Sequence, residues 1–479
     1  MSNLVPPETL KGFRDLLPDS MIVRNEAVER IRRIYERYGF APIDTPVIEH
    51  LRTLVGTGGE ETNKLIFRLK TPEEEAAGLR FDLTVPFARL IAQYPEQVKL
   101  PFRRYHIGPV FRGDDPKAGR YRQFTQFDID AAGSESMMVE AEIVAAMADV
   151  MKEFEMGPGE FVIQINNLGA THAFLTQIGI PDLEKAKRVM RVIDKLPKIG
   201  LEEVRKELGD GRMDASGDPI PGVKLTVTQI DEVARYVAIR GLDRRAFTKE
   251  LQALLTPSER AEKGLAEFTE LADFLDALGV TEQEAVFDCS LMRGLDYYTA
   301  MVFEAAMPNA KQFGSVLGGG RYDGLVDRFS KTSVPACGVS IGLDRFIDAL
   351  THLGKLKAAS TITQALIIGM KEVPAIELLR LAAELRQSGI RTEVYLGAKG
   401  AAMKDQLAFA NARGIPLAVI IGGDELKSAT VSIKNLIVGK EARTGMTDQV
   451  EYKKKDRAGQ LTVRRSELIP TVKAQLGLR

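Results

Sequence analysis

The chain has 479 residues, which at roughly 150 residues per domain suggests about three domains. Hydrophobic residues make up 44% and charged residues 27% of the sequence, as in ordinary globular proteins. No apolar run reaches the length of about 18 residues that a membrane span needs. The N-terminus lacks the basic stretch followed by an apolar stretch that is typical of a secretory signal. Because Cys289 and Cys337 are the only cysteines, disulfide scaffolds and cysteine-rich zinc modules are excluded, and we expect a cytoplasmic location.

The net charge of −1 hides an uneven distribution. Residues 362–479 carry 19 Lys and Arg against 12 Asp and Glu, whereas the rest of the chain carries 46 against 54. A basic C-terminal segment on an acidic body is typical of proteins that bind a polyanion such as nucleic acid. An ordinary solvated charged surface is the alternative interpretation.

Hydrophobic periodicity predicts the elements of the N-terminal third of the chain. An amphipathic helix is predicted over 20–38, with Ser20 as its cap, and a second helix over 134–154. The segments with strand-like patterns are 40–49, 64–70, 79–87, 102–112, 121–130 and 161–166. Successive strands with helices at their flanks predict an α+β domain built on a mostly antiparallel sheet.

The sequence changes character between residues 170 and 280, where helical patterns rich in Lys and Glu surround a turn-prone break at 209–222. Strand patterns return at 285–305 and 334–342, so we interpret the helical stretch as an insertion within the first domain. The tail then alternates strands and helices, which predicts a small α/β domain with parallel strands. The predicted bounds are 1–168 and 283–352 for the two parts of the first domain, 169–282 for the insertion and 363–479 for the tail.

Several common active-site motifs are absent from the sequence. It has no phosphate-binding P-loop motif, and its four histidines are not paired at metal-ligand spacing. GVSIG (338–342) matches the nucleophile elbow of hydrolases, which also need an acid and a histidine later in the chain. Only His352 follows, so a buried strand is the favoured interpretation of this segment.

The strand-like segment 121–130 carries polar residues at alternate positions. Alternation places Gln126, Asp128 and Asp130 on one face, together with Arg122. Unpaired buried carboxylates are energetically costly, so this face is either open to solvent or the floor of a polar binding site. The solvent-facing interpretation is the more common one for an arbitrary sequence, and the neighbouring arginines favour the binding floor.

Arginines flank the turn-prone loop 113–119, since Arg112 ends one predicted strand and Arg120 begins the next. Guanidinium groups bind phosphate oxygens bidentately and stay charged at any working pH. Above an acidic floor, they suit a substrate with an anionic end and a cationic or N–H-bearing end. The alternative is that Arg112 pairs with Asp114 or Asp115 within the loop.

A second group of motifs lies at 292–299 (MRGLDYYT), 317–325 (LGGGRYDGL) and 336–346 (ACGVSIGLDRF). We interpret the three consecutive glycines as permitting a tight turn or close approach of the backbone to a ligand, and not as packing residues. Further candidates for binding anions in these segments are Arg293, Arg321 and Arg345.

Together these segments resemble a known family. FRGDDPKAGRYRQFTQFDID (111–130) resembles motif 2 of class II aminoacyl-tRNA synthetases, and CGVSIGLDRF (337–346) resembles their motif 3. RGLDYYT (293–299) and GGGRYDGL (318–325) resemble the two signature segments of histidyl-tRNA synthetases. The resemblance covers nearly the whole chain and implies an α+β class II catalytic domain, with an antiparallel sheet flanked by helices, a helical insertion and a C-terminal α/β anticodon-binding-type domain.

The resemblance also implies a reaction, in which ATP and L-histidine form histidyl-adenylate and the histidyl group then passes to tRNA(His). It implies catalytic roles for Arg112 and Arg293 at the reacting phosphate, with Mg²⁺ accompanying ATP. The implied histidine-binding residues are Asp82, Leu83, Thr84, Gln126, Asp130, Tyr297 and Tyr298. The implied ATP-binding residues are Arg112, Asp114, Arg120 and Arg345. Such catalysis relies on positioning and electrostatic stabilisation, without a covalent nucleophile from the protein.

The segment around Pro46 resembles motif 1, which in this class lies at the subunit interface and implies a homodimer. Pro46 ending an edge strand is the simpler interpretation. The alternative function is a non-catalytic paralogue that regulates ATP phosphoribosyltransferase. Such proteins commonly lack the C-terminal α/β domain and alter the signature arginine, whereas this chain has the tail and retains Arg293.

Overall fold

The structure is a computed structural model that describes residues 4–56, 63–116, 119–214, 217–292, 297–356, 360–398, 401–441 and 459–478. Its contacts divide the chain into two compact units. One unit consists of Met1–Asp15 and Ala27–Leu356, and the other of Leu16–Glu26 and Lys357–Arg479. No helix in the described ranges is long and apolar enough to cross a bilayer.

An eight-stranded sheet forms the centre of the first unit. The strands of this unit are β1 (Ala41–Pro42), β2 (Ile48–His50), β3 (Arg68–Lys70), β4 (Ala76–Leu79), β5 (Phe102–Phe111), β6 (Gln123–Ala132), β7 (Val162–Asn167), β8 (Gly211–Met213), β9 (Pro219–Pro221), β10 (Ala285–Phe287), β11 (Met301–Ala306), β12 (Leu317–Arg321) and β13 (Ala336–Gly342). The central sheet has the order β1-β5-β6-β13-β12-β11-β7-β10, and its five inner pairings are antiparallel. The prediction of a mostly antiparallel sheet is therefore confirmed.

Helices of the first unit surround this sheet. They are Pro18–Arg37, whose first residues belong to the second unit, Leu51–Leu54, Thr84–Gln93, Met138–Glu153 and Leu343–His352. On the face of β6 opposite the polar positions, Phe127 and Ile129 are fully buried. The ring of Phe127 meets Tyr35 edge-on at 5.1 Å, so this face of the sheet holds the hydrophobic core.

The stretch between β7 and β10 folds mainly as helices. These are Leu168–Gln177, Leu183–Ile193, Leu196–Leu208, Val227–Val237, Arg244–Leu254 and Glu259–Ala277. Side-chain caps mark their starts, as at Asp182, Thr226 and Ser258, because each side chain accepts a bond from an otherwise unpaired backbone N–H. The strands on either side share the central sheet, since β7 pairs with both β10 and β11. The boundaries at 169 and 282 stay predictions.

The second unit contains a five-stranded sheet in the order β15-β14-β16-β17-β18, with β14 (Ala365–Gly369), β15 (Thr392–Val394), β16 (Leu417–Ile421), β17 (Thr430–Asn435) and β18 (Gln460–Arg464). Its helices are Ala375–Gln387, Met403–Ala412, Gly423–Ser428, Leu436–Glu441 and Leu468–Gln475. β14 runs parallel to β15 and β16, as predicted. The sequence analysis did not predict β17 and β18, which extend the sheet antiparallel.

One strand prediction and one cap prediction are wrong. The segment 79–87 is not a strand: β4 ends at Leu79, and a helix begins at Thr84. The carboxylate of Asp82 accepts the N–H of Val85 at 3.0 Å and so satisfies a donor in the first helical turn. Ser20 is not a cap, because its helix already begins at Pro18, whose ring suits a first turn.

The three consecutive glycines do not form a turn, since they lie within β12 at the centre of the sheet. A Cβ atom on Gly319 would stand 2.0 Å from the carbonyl oxygen of Gly338 in β13. A Cβ atom on Gly320 would stand 2.4 Å from the carbonyl oxygen of Met301 in β11. The interpretation that they are not packing residues is therefore wrong, because these two allow three strands to approach closely.

This packing predicts a stability difference between two glycine substitutions. Gly319→Ala should lower the free energy of unfolding by about 3 kcal/mol, because backbone atoms cannot move aside as a flexible side chain could. Gly324→Ala is the matched control, since a Cβ atom there meets nothing within 4 Å. Urea unfolding of both variants checks this, and equal losses would contradict the packing argument.

Candidate active site

One face of β6 and its neighbours carries a buried polar floor. Cross-strand register places Arg104 and His106 of β5 opposite Asp130 and Asp128 of β6. Gln126, Asp128 and Asp130 expose at most 5% of their surface. The solvent-facing interpretation of this face is therefore wrong, and the predicted polar floor is what the structure has.

Asp130 accepts a hydrogen bond on one carboxylate oxygen and forms an ion pair on the other, which has no hydrogen-bond partner among the described residues. The hydroxyl of Tyr322 donates to its Oδ1, and the Arg104 guanidinium lies 2.6 Å from its Oδ2. Burial raises the pKa of Asp130, and the charge of Arg104 opposes that shift. The sequence analysis assigned no role to Arg104 or Tyr322, although Tyr322 stands within the GGGRYDG segment.

Asp82 keeps one carboxylate oxygen without a partner. Its Oδ1 accepts the N–H of Val85, whereas its buried Oδ2 has no hydrogen-bond partner among the described residues. Burial raises the pKa of Asp82 to about 6, against the backbone N–H of Val85 and the charge of Arg112, which lower it. A buried carboxylate of this kind suits a cationic ligand group such as an ammonium.

Several residues predicted to bind histidine lie close to one another around Asp82. Thr84 and Asp82 both lie near enough to Tyr297 to affect its pKa, which burial raises, and the carbonyl of Leu83 accepts from the Arg104 guanidinium at 3.1 Å. The ring of Tyr297 is 4.8 Å from that of Tyr298 and 6.0 Å from that of Tyr322. The structure thus brings together segments that are more than 200 residues apart in the chain.

Gln126 and Asp128 form a hydrogen-bonded cluster with Ser340 of β13. Gln126 Nε2 donates to Ser340 Oγ at 2.5 Å and lies 3.3 Å from Asp128 Oδ1. Burial raises the pKa of Asp128 to about 7, and the neighbouring Arg104 charge opposes this. Ser340 lies in a strand, as the sequence analysis favoured over a hydrolase elbow.

His106 lies beside this cluster and is buried. Burial, together with the charges of Arg104 and Arg80, lowers its pKa to about 3, so its ring is neutral at physiological pH. Its Nε2 contacts the carboxylate of Asp44 at 2.9 Å, and its Nδ1 has no partner among the described residues.

The predicted phosphate-binding residues occupy different surroundings. Arg112 donates from Nε to the carbonyl of Phe81 at 2.9 Å, and its charge acts on Asp82. Among the described residues Arg112 forms no ion pair with Asp114 or Asp115, and Asp114 pairs with Arg120 at 2.9 Å, so the alternative pairing within the loop is wrong. Arg345 donates to the carbonyl of Ser315 at 2.9 Å.

Arg321 is wrong as an anion-binding candidate. Its guanidinium is buried and donates to both carboxylate oxygens of Glu140, in one case at 2.8 Å. Its Nη1 also lies 3.2 Å from the carbonyl of Ser134 and from Asp323. This side chain is therefore a structural ion pair between β12 and the helix Met138–Glu153.

Arg293 lies outside the described residues, so its role stays a prediction. Among the residues that the structure does describe, no three His, Cys, Asp or Glu side chains form a possible metal-ligand group.

Unpaired buried polar atoms are concentrated on the floor. On the floor they are Asp82 Oδ2, Gln126 Oε1, Asp130 Oδ2, His106 Nδ1, and Nε and Nη1 of Arg104; the others among the described residues belong to Tyr35, Arg89 and Arg244. Buried polar atoms in folded proteins nearly always have a hydrogen-bond partner, so their concentration here points to a polar ligand. The arrangement can hold a molecule with a cationic group at Asp82, an N–H donor at Gln126 and an anionic group at Arg112.

Two family models match consecutive parts of the chain. The model described as "Histidyl-tRNA synthetase" matches residues 12–346, and the one described as "Anticodon binding domain" matches residues 364–475. The first match contains the polar floor and the loop that follows Arg112.

Curated relatives match over almost their full length. A protein of Ruegeria pomeroyi named "Histidine--tRNA ligase" is 38% identical, over 97% of this chain and 96% of that protein. A protein of Rhizobium meliloti with the same name is also 38% identical, over 97% of this chain and 94% of that protein.

Solved structures show the same fold. The histidyl-tRNA synthetase from Nostoc sp. PCC 7120 superimposes with a TM-score of 0.79 at 28% identity, covering 98% of this chain and 100% of that chain. A Bacillus halodurans protein titled as an ATP phosphoribosyltransferase regulatory subunit/histidyl-tRNA synthetase has a TM-score of 0.70 and covers 88% of this chain and 100% of that one. At 22% identity it supports the fold alone. By its family match and its curated relatives, the chain belongs to the histidyl-tRNA synthetase family.

Proposed function

We propose that this chain is a histidine–tRNA ligase, which activates L-histidine with ATP and transfers the histidyl group to tRNA(His). The observation that carries the proposal is the buried polar floor. There Asp82 Oδ2 and Gln126 Oε1 have no hydrogen-bond partner among the described residues, and the charge of Arg112 acts on Asp82. Histidine has the matching groups, namely an ammonium, a ring N–H and a carboxylate that becomes bound to phosphate. Family membership supports the same activity.

Histidine would bind across the floor. Asp82 and Thr84 would hold the α-amino group, with the free Oδ2 of Asp82 as its acceptor. Gln126 and Asp130 would line the ring pocket. The tyrosines that would close this pocket are Tyr297 and Tyr298. The backbone of Leu83, whose carbonyl accepts from Arg104, would form one side of it.

The first chemical step needs charge stabilisation more than proton transfer. A carboxylate oxygen of histidine attacks the α-phosphorus of ATP, the bond to the outer phosphates breaks, and pyrophosphate leaves with the electron pair. Arg112 would bind the α-phosphate, and Arg293 would stabilise the charge that develops there. Arg345, Asp114 and Arg120 would complete the ATP site.

In the second step a hydroxyl of the terminal tRNA ribose attacks the acyl carbon, and AMP leaves. Positioning of the two reactants accounts for the rate, because no covalent intermediate with the protein is needed. Mg²⁺ would enter as part of the ATP substrate, and we assign no side chain to it.

The regulatory paralogue is the less favoured function. Such paralogues commonly lack the C-terminal domain, whereas residues 364–475 of this chain match an anticodon-binding domain. The same match supports tRNA as a partner. We further propose a homodimer, through the motif 1 segment at Pro46, and a cytoplasmic location, in keeping with two buried cysteines without disulfides.

Exchange of labelled pyrophosphate into ATP, run separately with each of the twenty amino acids, tests the proposed function. We expect exchange with histidine alone, since the floor pairs an ammonium acceptor with a ring N–H acceptor. Transfer to tRNA(His) then tests the second step. Folded protein that gives no exchange with any amino acid would contradict ligase activity and favour the paralogue.

Asp82→Asn should raise the KM for histidine about 10- to 100-fold, because it replaces a charge-assisted bond to the ammonium by a neutral one. The KM for ATP should stay the same, and so should binding of an analogue without the α-amino group. Asp273→Asn is the matched control, an exposed carboxylate that pairs with Arg245 in the helical insertion. Equal effects on histidine and on the des-amino analogue would contradict the role of Asp82.

Arg293→Ala should lower the rate of adenylate formation about 100-fold or more, as loss of one group that stabilises transition-state charge commonly does. We expect the unfolding midpoint to stay unchanged, so that the loss of rate reports on the charge of this side chain. Arg235→Ala, at an exposed arginine that pairs with Glu232, serves as the control. Wild-type rates of exchange in Arg293→Ala would refute the assignment.

A further inference from the structure

Residues 11–14 lie against the described part of the loop between β5 and β6, which carries part of the proposed ATP site. The backbone N–H of Arg122 donates to the carbonyl of Gly12 at 2.9 Å, and its Nη1 donates to the carbonyl of Lys11 at 3.4 Å. The same side chain donates from Nε to the carbonyl of Asp114 at 3.1 Å. Arg122 therefore joins the N-terminal segment to the first half of the loop.

The guanidinium of Arg14 joins this loop to the start of the helix Leu343–His352. Its Nη1 donates to the hydroxyl oxygen of Tyr121 at 2.7 Å, and its Cζ lies 3.7 Å from the centroid of the Tyr121 ring. Its Nη2 donates to Asp344 Oδ1 at 2.8 Å. An isolated exposed ion pair contributes little, whereas several contacts to one planar guanidinium fix its position.

Asp344 is also bound to β6. β13 pairs with β6 as far as Gly342, which lies opposite Gln126, and Asp344 Oδ2 accepts the backbone N–H of Thr125 at 2.7 Å. The carboxylate thus continues the ladder by one hydrogen bond, and its side chain is only 7% exposed. Because Arg14 binds the other oxygen, both oxygens of this carboxylate have a partner.

The two partners of Arg14 each stand next to a residue of the proposed ATP site. Tyr121 follows Arg120 in the chain, and Asp344 precedes Arg345. Two guanidinium groups that bind one triphosphate must be held at a fixed separation. A single side chain that bonds to the neighbours of both can set that separation.

We propose that Arg14 is a positioning residue for ATP, which bonds to Tyr121 and Asp344 and so holds Arg120 and Arg345 at the separation that the triphosphate requires. The inference rests on the ATP site of the proposed histidine–tRNA ligase activity and adds a residue to which that activity assigned no role. Arg14 does not itself touch ATP in this arrangement. Its loss should therefore weaken the binding of ATP and leave the histidine-binding floor intact.

The first test is Arg14→Ala, with ATP and histidine measured separately. In pyrophosphate exchange, kcat/KM for ATP should fall about 10- to 100-fold, because small displacements of positioned groups cost this much, and the KM for histidine should stay the same. Calorimetric titration with ATP and Mg²⁺, without histidine, should give a Kd that is about tenfold higher. Arg32→Ala is the control, at an exposed arginine that pairs with Glu29, and it should match the wild type.

A second variant separates positioning from structural damage. Tyr121→Phe removes only the hydroxyl acceptor of Arg14, so kcat/KM for ATP should fall about threefold. The double variant Arg14→Ala with Tyr121→Phe should be no worse than Arg14→Ala, because the hydroxyl acts through the guanidinium. Tyr121→Phe also keeps the test decisive if Arg14→Ala does not fold.

A pair of glycines tests the contact with the loop without a change of charge. Gly12 and Gly39 both have positive φ, at +86° and +76°. A Cβ atom on Gly12 would stand 2.8 Å from Cγ of Arg122 and 2.9 Å from Cγ of Pro116, whereas one on Gly39 meets nothing within 4 Å. Both alanines cost similar backbone strain, so only Gly12→Ala should raise the KM for ATP.

Four results overturn the inference. They are an unchanged affinity for ATP in Arg14→Ala, parallel rises in the KM for histidine and for ATP, additive losses in the double variant, and equal effects of the two glycine substitutions on the KM for ATP. Wild-type protein without histidine-dependent exchange would instead overturn the proposed function. The calorimetric comparison would still decide the inference in that case, so the two failures are distinguishable.

Discussion

Burial of charge on one face of the central sheet is the constraint on which the rest of the site depends. The Arg104 guanidinium is fully buried and lies 2.6 Å from Asp130. Removing both ions from water is costly, and their attraction offsets this only where the remaining polar atoms are also bonded. Tyr322 and Leu83 supply two such bonds, whereas Nε and Nη1 of Arg104 have no partner among the described residues. The folded protein therefore keeps part of the free-energy cost of burying these charges. A polar ligand that bonds to the unpartnered atoms would recover it.

Glycines make room for these charges. A Cβ atom on Gly338 would stand 2.0 Å from Asp130 Oδ1, and one on Gly108 would stand 2.2 Å from Nη2 of Arg80. Both glycines lie in strands beside the polar positions, where glycine normally weakens a sheet. Glycine is nevertheless required at both positions, because the Cβ atom of any other residue would displace a charged group. The glycines of β12 act differently, since they allow backbones to approach one another.

The sequence predicted this site where periodicity and chemistry agree. Alternation over 121–130 placed Gln126, Asp128 and Asp130 on one face, and the structure buries them together. Apolar runs were less informative, since 79–87 contains the end of β4 and the start of a helix, and pattern alone does not separate these. Arg321 shows a different limit, because nothing local indicates that its charge is matched by Glu140, 181 residues earlier in the chain. Local sequence identifies which residues share a face, and tertiary pairing decides which charges remain available.

The available charges also determine which ligands the floor can reject. Burial raises the pKa values of Asp82 and Asp128 to about 6 and about 7, so ionising either carboxylate costs more free energy than it does in water. An ammonium beside Asp82 would lower that pKa and recover the cost, whereas a neutral ligand would leave it in place. A ligand without a ring N–H would likewise leave Gln126 Oε1 unpaired. Selectivity therefore arises because each polar atom left unpaired in the protein penalises a ligand that lacks its complement.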